Sequence, residues 1–348
     1  MANVFWIFLI LLTFFRVVLV GRPNYQNKLV QVTGIVAKDP KIYGANKLIV
    51  VDGWSFFVDR VVDINYGDKV TVVGKVDGRK IVNPKIEKVI AKKSFVGRLR
   101  QRILTVYRIG LPPADAGLVA GMVLGSKSLL TEKVWRGVLG SGTAHVVVAS
   151  GTNVSLLAMY LLALLTYFTK RPKAVVLIAI VIWCYAVLCG LEAPIVRASL
   201  MVTIAFIGQA IGRKTDTLRI FLISFVIMLL VKPRWFYDLG FWLSYLATLS
   251  MLLFGRKLQD RLHFLPGLMK ESLSTSLSAQ IGVTPVLLLV FHNLNAVSPV
   301  INALVVPVVP TITVIGALGG LLGLLNLKLG EMVLYLVIPF TRWFLLWV

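Results

Sequence analysis

Residues 174–190 read AVVLIAIVIWCYAVLCG, and after Leu191-Glu192-Ala193-Pro194 residues 195–211 read IVRASLMVTIAFIGQAI. A helix needs roughly 17–25 apolar residues to cross a bilayer, and both stretches reach that length almost without charge. Similar runs occupy 139–168 (interrupted), 218–231, 239–254, 273–291, 297–325 (also interrupted) and 331–348. The whole chain agrees: of 348 residues 57% are apolar and 15% charged, against ~25% charged in soluble domains. That excludes a disordered chain and an ordinary soluble enzyme. The expected fold class is a polytopic α-helical membrane protein. Cys184 and Cys189 share one apolar run, so neither a disulfide framework nor a metal cluster is expected.

The N-terminal quarter differs. Val4–Val20 is an apolar run broken only by Arg16, with no Lys or Arg before it and no small-x-small site after it. Residues 1–21 therefore read as a retained transmembrane anchor. Residues 22–97 lack long apolar runs and alternate instead, in Leu29–Val36, Leu48–Val51, Trp54–Val58, Lys69–Val76 and Lys80–Val89. Asp52-Gly53 and Asp77-Gly78 are hairpin signals between such segments. Five short strands predict a small closed β-barrel of OB-like type, with a sandwich or hairpin platform as the alternative. Residues 22–108 hold 18 Lys/Arg and 7 Asp/Glu, half of the net +22. Such a surplus attracts polyanions or acidic headgroups. Tyr43, Trp54, Phe56, Phe57 and Tyr66 offer aromatic faces; Trp54, Phe56, Tyr43 and Tyr66, with Lys47 and Arg60 of the basic set, are the candidate contacts to single-stranded nucleic acid. Alternation requires either Phe56 or Phe57 to face the core. Residues 98–125 read as amphipathic or interfacial helices, with Leu99, Ile103, Leu104 and Tyr107 on one face and arginines around them; packing on protein is the alternative. Residues 126–348 are the polytopic domain.

Basic residues alternate between its loops. One set contains Lys170, Arg171, Lys173, Arg213, Lys214, Arg219, Arg256, Lys257, Arg261, Lys270 and Lys328; the other holds little beyond Arg197, Lys232 and Arg234. The first set is expected on the cytoplasmic side, which puts the β domain outside.

Polar groups at membrane depth are costly, so they mark candidate sites. Residues 141–153, SGTAHVVVASGTN, place His145, Ser150 and Asn153 in an apolar context, with Gly151 able to break a helix. Broken backbone at that depth survives only against protein or a water-filled cavity. Arg197 follows Pro194 among apolar residues; it reads as paired with Glu192, as a phosphate contact or, alternatively, as an interfacial arginine at a helix start. Asp238 precedes a helix and fits an N-cap, and Gly240 and Ser244 suit close helix packing. Asn302, Pro307 and Pro310 interrupt a late run. These groups read as a polar path or, alternatively, as interhelical glue. No metal-ligand spacing, P-loop or nucleophile elbow occurs, so neither catalysis nor a cofactor is expected. A Ser150–His145 hydrolase would need the chain to break at Gly151.

The motif order resembles the ComEC-type competence proteins. Gly117–Gly125, then Gly142–Val154 with His145 and Ser150-Gly151, Pro194–Met201 with Arg197-Ala198, Asp238–Ala247 as D-x-G-F-x-L-S-x-x-A, and Asn302–Pro307 are similar to successive family segments. Asn153 stands where the family usually has His. No H-x-H-x-D-H stretch occurs, so the chain reads as a short form without the metallo-β-lactamase-like domain, and nuclease activity does not carry over. The resemblance implies a channel in the cytoplasmic (inner) membrane that takes up single-stranded DNA. Its N-terminal OB-like domain would lie outside, and a DNA receptor and a cytoplasmic helicase or ATPase would be partners. The path would be lined or shaped by His145, Ser150, Gly151, Asn153, Arg197, Asp238, Gly240, Ser244 and Asn302. A secondary transporter of a small molecule or lipid intermediate uses broken helices equally well, but leaves the basic β domain unexplained.

Overall fold

The computed structural model describes residues 13, 15–18, 29–36, 40–43, 46–51, 53–59, 61–62, 64, 66–77, 80–90, 95–148, 150–291 and 297–348. Most of the expected anchor lies outside the described residues; Thr13 and Phe15–Val18 are helical. The N-terminal part is a mixed sheet of β1 (Leu29–Ile35), β2 (Lys41–Tyr43), β3 (Asn46–Val51), β4 (Trp54–Asp59), β5 (Lys69–Asp77) and β6 (Lys80–Ile90). Its order is β1-β5-β6-β4-β3-β2, antiparallel except between β4 and β6. The period-two pattern builds it: Val32, Ile49, Phe56, Val58, Val72 and Ile81 turn to one face and form its core with Ile64.

The expected closed barrel does not form. β1 pairs along its length with β5 and meets β3 only through the bridge Val36–Val51. A short strand that the alternation pattern did not announce, β2, pairs with the edge of β3 that faces away from β4. The sheet is therefore open.

The helices are α1 (Phe95–Gly110), α2 (Pro113–Leu124), α3 (Glu132–Gly140), α4 (Ala144–Val147), α5 (Gly151–Phe168), α6 (Arg171–Leu188), α7 (Ala193–Ala210), α8 (Thr217–Val231), α9 (Leu239–Arg261), α10 (Gly267–Phe291), α11 (Ser298–Val305), α12 (Val309–Leu325), α13 (Leu327–Tyr335) and α14 (Ile338–Leu346). Among the described residues, six helical stretches are long and apolar enough to span a membrane: α5, α6, α7, α9, most of α10, and Ser298–Leu325. The pair α13 and α14, bent by 46°, would make a seventh. This is a multi-pass membrane architecture.

Its core centres on α2, which is buried from Asp115 to Leu124. The helix starts on Pro113, whose fixed φ suits a first turn, and stops at Gly125, whose φ of 68° admits glycine at little cost. So 113–124 is enclosed by protein from Asp115 onward and presents no open apolar face. Helix α1 turns Ile103, Leu104, Val106 and Tyr107 toward α2, α12 and α13; its apolar face packs on protein. Helix packing then runs round a circuit: α5 against α7, α7 against α9, α9 against α10, α10 against α11, and α12 against α5.

Candidate functional site

The site lies where the chain between α3 and α5 is broken. Gly142, with φ of 73°, ends α3, and α4 lasts a single turn before Val148 and Ser150 become extended. Gly121 on α2 lets this segment approach closely: a Cβ there would stand 2.5 Å from the Val147 carbonyl oxygen. Helix α5 restarts at Gly151 without a side-chain cap, because the Ser150 hydroxyl pairs with that of Thr152 at 2.5 Å.

Arg197 of α7 faces this restart. A Cβ on Gly151 would come within 3.1 Å of the Ala198 Cβ and 3.3 Å of Arg197 Nη2. Arg197 Nη1 donates to the Thr248 hydroxyl on α9, which itself donates to the Ser244 carbonyl at 2.9 Å. The guanidinium carbon lies 5.7 Å from the centroid of the Tyr245 ring. Arg197 Nε is buried and has no partner among the described residues, and Glu192 makes no ion pair with it. The cation is thus held by a hydroxyl and a ring, with donor capacity left over.

Two buried asparagines flank the break. Asn153 Nδ2 donates to the Met122 carbonyl at 2.6 Å. On the other side, the Ser298 hydroxyl donates to the Gly142 carbonyl at 3.3 Å, and Asn302 Nδ2 donates to the hydroxyls of Ser276 at 2.9 Å and Ser298 at 3.3 Å. Both asparagine Oδ1 atoms are buried without a hydrogen-bond partner among the described residues. His145, on the single turn α4, is exposed, and among the described residues no hydrogen bond joins it to Ser150, whose hydroxyl pairs with Thr152.

Asp238 has a different task. Its Oδ1 accepts from the Phe241 N–H at 3.0 Å and caps α9. A Cβ on Gly240 would sit 3.0 Å from that same oxygen. Asp238→Ala should therefore cost about 1 kcal/mol, read as a lowered melting temperature of the purified protein. Equal stability would show that the cap is not needed. Phe225 meets Trp242 and Tyr245 edge to face and Phe241 at a tilt, which joins α8 to α9.

In the sheet the candidate residues separate. Phe56 is 1% exposed and belongs to the core, so it cannot stack on a base; the exposed aromatic of that pair is Phe57. Trp54 is half-buried against the same core, and Lys47 Nζ donates to the Val62 carbonyl at 3.2 Å. The Tyr66 ring lies under the Arg100 guanidinium, 4.7 Å from centroid to carbon. Tyr43 stands in the edge strand β2, and Arg60 lies outside the described residues.

Several residues escaped the sequence reading. Arg100 is buried and reaches two helix ends, Leu124 O at 2.8 Å and Leu188 O at 2.5 Å. Asp115 is fully buried; it accepts from Thr341 at 2.7 Å and meets Arg342 at 3.1 Å. Ser276 belongs to the run Ser272-Leu273-Ser274-Thr275-Ser276-Leu277-Ser278, whose hydroxyl density inside an apolar helix was the available signal.

The profile of the family described as Competence protein matches residues 122–348, the stretch that holds the broken segment, Arg197 and both asparagines. ComE operon protein 3 of Bacillus subtilis (strain 168) is 27% identical over 214 residues, 60% of this chain and 26% of that protein. An uncharacterized protein of Aquifex aeolicus (strain VF5) is 31% identical over 162 residues, 47% of this chain and 37% of that protein. The chain thus spans between a quarter and two fifths of the length of these relatives. No solved structure matches. With more than half of its residues under one family profile, and with the broken segment and the Arg197 and Asp238 motifs inside it, the chain belongs to the competence protein family.

Proposed function

We propose that this chain is the membrane conduit by which single-stranded DNA enters the cytoplasm during natural competence. The observation that carries the reading is Arg197. Its guanidinium stands beside the backbone break at Gly151, keeps a buried Nε without a partner among the described residues, and lies on the helix circuit α5–α7–α9–α10–α11–α12. Ser150, Asn153, Thr248, Ser276 and Asn302 sit on or beside the same circuit. A polar row of this kind suits a wet route, and a planar cation suits the phosphates of a passing strand.

The basic sheet completes the reading as an OB-like DNA platform on the outer side of the cytoplasmic membrane. What supports this is charge: residues 22–108 hold 18 Lys/Arg against 7 Asp/Glu, a surplus that suits a polyanion. The orientation is supported by the loop charges and by Arg16, which donates to the Leu230 carbonyl near the end of α8. On the sheet's accessible face, Phe57 replaces Phe56 as the aromatic contact. A DNA receptor outside and a helicase or other ATPase inside would be the partners.

The test is uptake of end-labelled DNA by cells carrying Arg197→Ala. A charge-assisted contact is worth about 1.5–3 kcal/mol, so label entry should fall roughly tenfold or more at unchanged protein level. Arg197→Lys keeps the charge and should retain part of the uptake. Unchanged entry in Arg197→Ala would remove this residue from the path, and with it the reading.

A further inference from the structure

From the outer surface of α5 we infer that this protein binds an anionic phospholipid in a groove at the cytoplasmic end of α5. The groove, of about 480 Å³, is lined by Met159, Leu162, Ala163, Thr166 and Arg171. The first four recur at helical spacing on α5, so they form one stripe down the helix. Seven residues span about 10 Å of helix, against about 15 Å for one leaflet's hydrocarbon, which suits the upper part of an acyl chain. Thr166 directs its hydroxyl to its own helix, 2.7 Å from the Leu162 carbonyl, so it presents no free donor to the groove.

The mouth of the groove is polar and positive. Arg171 is exposed and gives one N–H to Gln209 Oε1 at 2.9 Å, which ties the start of α6 to the end of α7. Lys170, Lys173, Arg213 and Lys214 are exposed in the same two turns, and the acid there, Asp216, is engaged by Arg219 at 3.3 Å. No carboxylate lines the groove. Tyr167 and Phe168 are exposed beside Arg171, the position of an interfacial aromatic belt. A phosphodiester headgroup on Arg171, with its acyl chain along Met159–Thr166, matches both parts of the surface; a basic pocket between helices on the cytoplasmic side is a recognised headgroup environment.

The experiment uses the full chain in detergent, titrated with dioleoylphosphatidylglycerol or dioleoylphosphatidylcholine and read by native mass spectrometry. Phosphatidylglycerol should bind about fivefold tighter, the worth of one basic residue at an anionic headgroup. Arg171→Ala should abolish that preference. Ala163→Trp, which fills the groove and leaves the charge in place, should weaken both lipids. Inorganic phosphate should not displace the bound phosphatidylglycerol. Equal affinity of the wild-type protein for the two lipids overturns the proposal, as does a preference that survives Arg171→Ala. Displacement by phosphate reduces the site to an anion contact, and an Ala163→Trp variant that loses a dimer instead of a lipid assigns the face to a second copy; either result overturns it. No DNA enters the assay, so its outcome is independent of the uptake reading.

Discussion

Arg100→Ala should destabilise the protein by about 4 kcal/mol and lower its melting temperature in detergent by on the order of 8 °C. The side chain is 3% exposed and reaches the carbonyls of Leu124 and Leu188, the last residues of α2 and α6. Helix ends carry unpaired carbonyls and a partial negative charge. Inside a membrane protein water does not reach them, so side chains must. At α2 the coverage is consecutive: Asn153 serves Met122 O, Tyr185 serves Val123 O at 2.9 Å, and Arg100 serves Leu124 O. Truncation leaves two carbonyls without their donor, at about 1–3 kcal/mol each, and removes the stacking on Tyr66, about 0.5–2 kcal/mol. Arg100→Lys keeps a cation and should recover only part of the loss, because one ammonium replaces a planar fork. A shift below 2 °C for Arg100→Ala would mean that these helix ends are already hydrated.

Gly330→Ala is the next largest effect, a net loss of about 2 kcal/mol. A Cβ on Gly330 would lie 2.5 Å from the Cα and 2.8 Å from the N of Gly323, and 2.9 Å from the Gly319 carbonyl oxygen. All three are backbone atoms, so no rotamer can relieve the clash. The contact is one layer of a stack. Gly323 receives Val106, Gly320 receives Tyr107, and Gly316 receives Val119, so α12 is pressed between α1 and α2 on one side and α13 on another. Overpacking of this kind costs about 3 kcal/mol; the better helix propensity of alanine returns about 1 kcal/mol. Gly140→Ala is the internal contrast. A Cβ there meets nothing within 4 Å, so the propensity gain stands alone and the protein should become slightly more stable. Urea or thermal denaturation of the two variants in the same detergent separates them by sign; the same sign for both would refute the packing account.

Both effects show what was and was not legible in the chain. Spans were legible because membrane helices must be long, apolar and continuous. The runs 174–190, 195–211 and 273–291 coincide closely with α6, α7 and α10, and Asp238 caps α9 as its place before the run implied. The break before Gly151 was legible for the same reason, since polar residues in an apolar run stand out. Arg100 was not. Its spacing among other arginines is that of a solvated helix face, and its real partners are 24 and 88 residues away. Asp115 carried no signal of its own, because its partner Thr341 stands 226 residues further along the chain.

The amino-acid order by itself determined the membrane class, the division into a basic β region and a helical region, and the alternating loop charges. These depend on hydropathy, charge and local dihedral preference, which each segment carries alone. Only the tertiary structure decided that the sheet stays open, that Phe56 turns inward and Phe57 outward, that α2 is a central buried helix, and that Arg197 stands against Gly151. Those outcomes depend on which distant surfaces meet, and short polar side chains in lipid take whichever donor or acceptor the packing brings within about 3 Å.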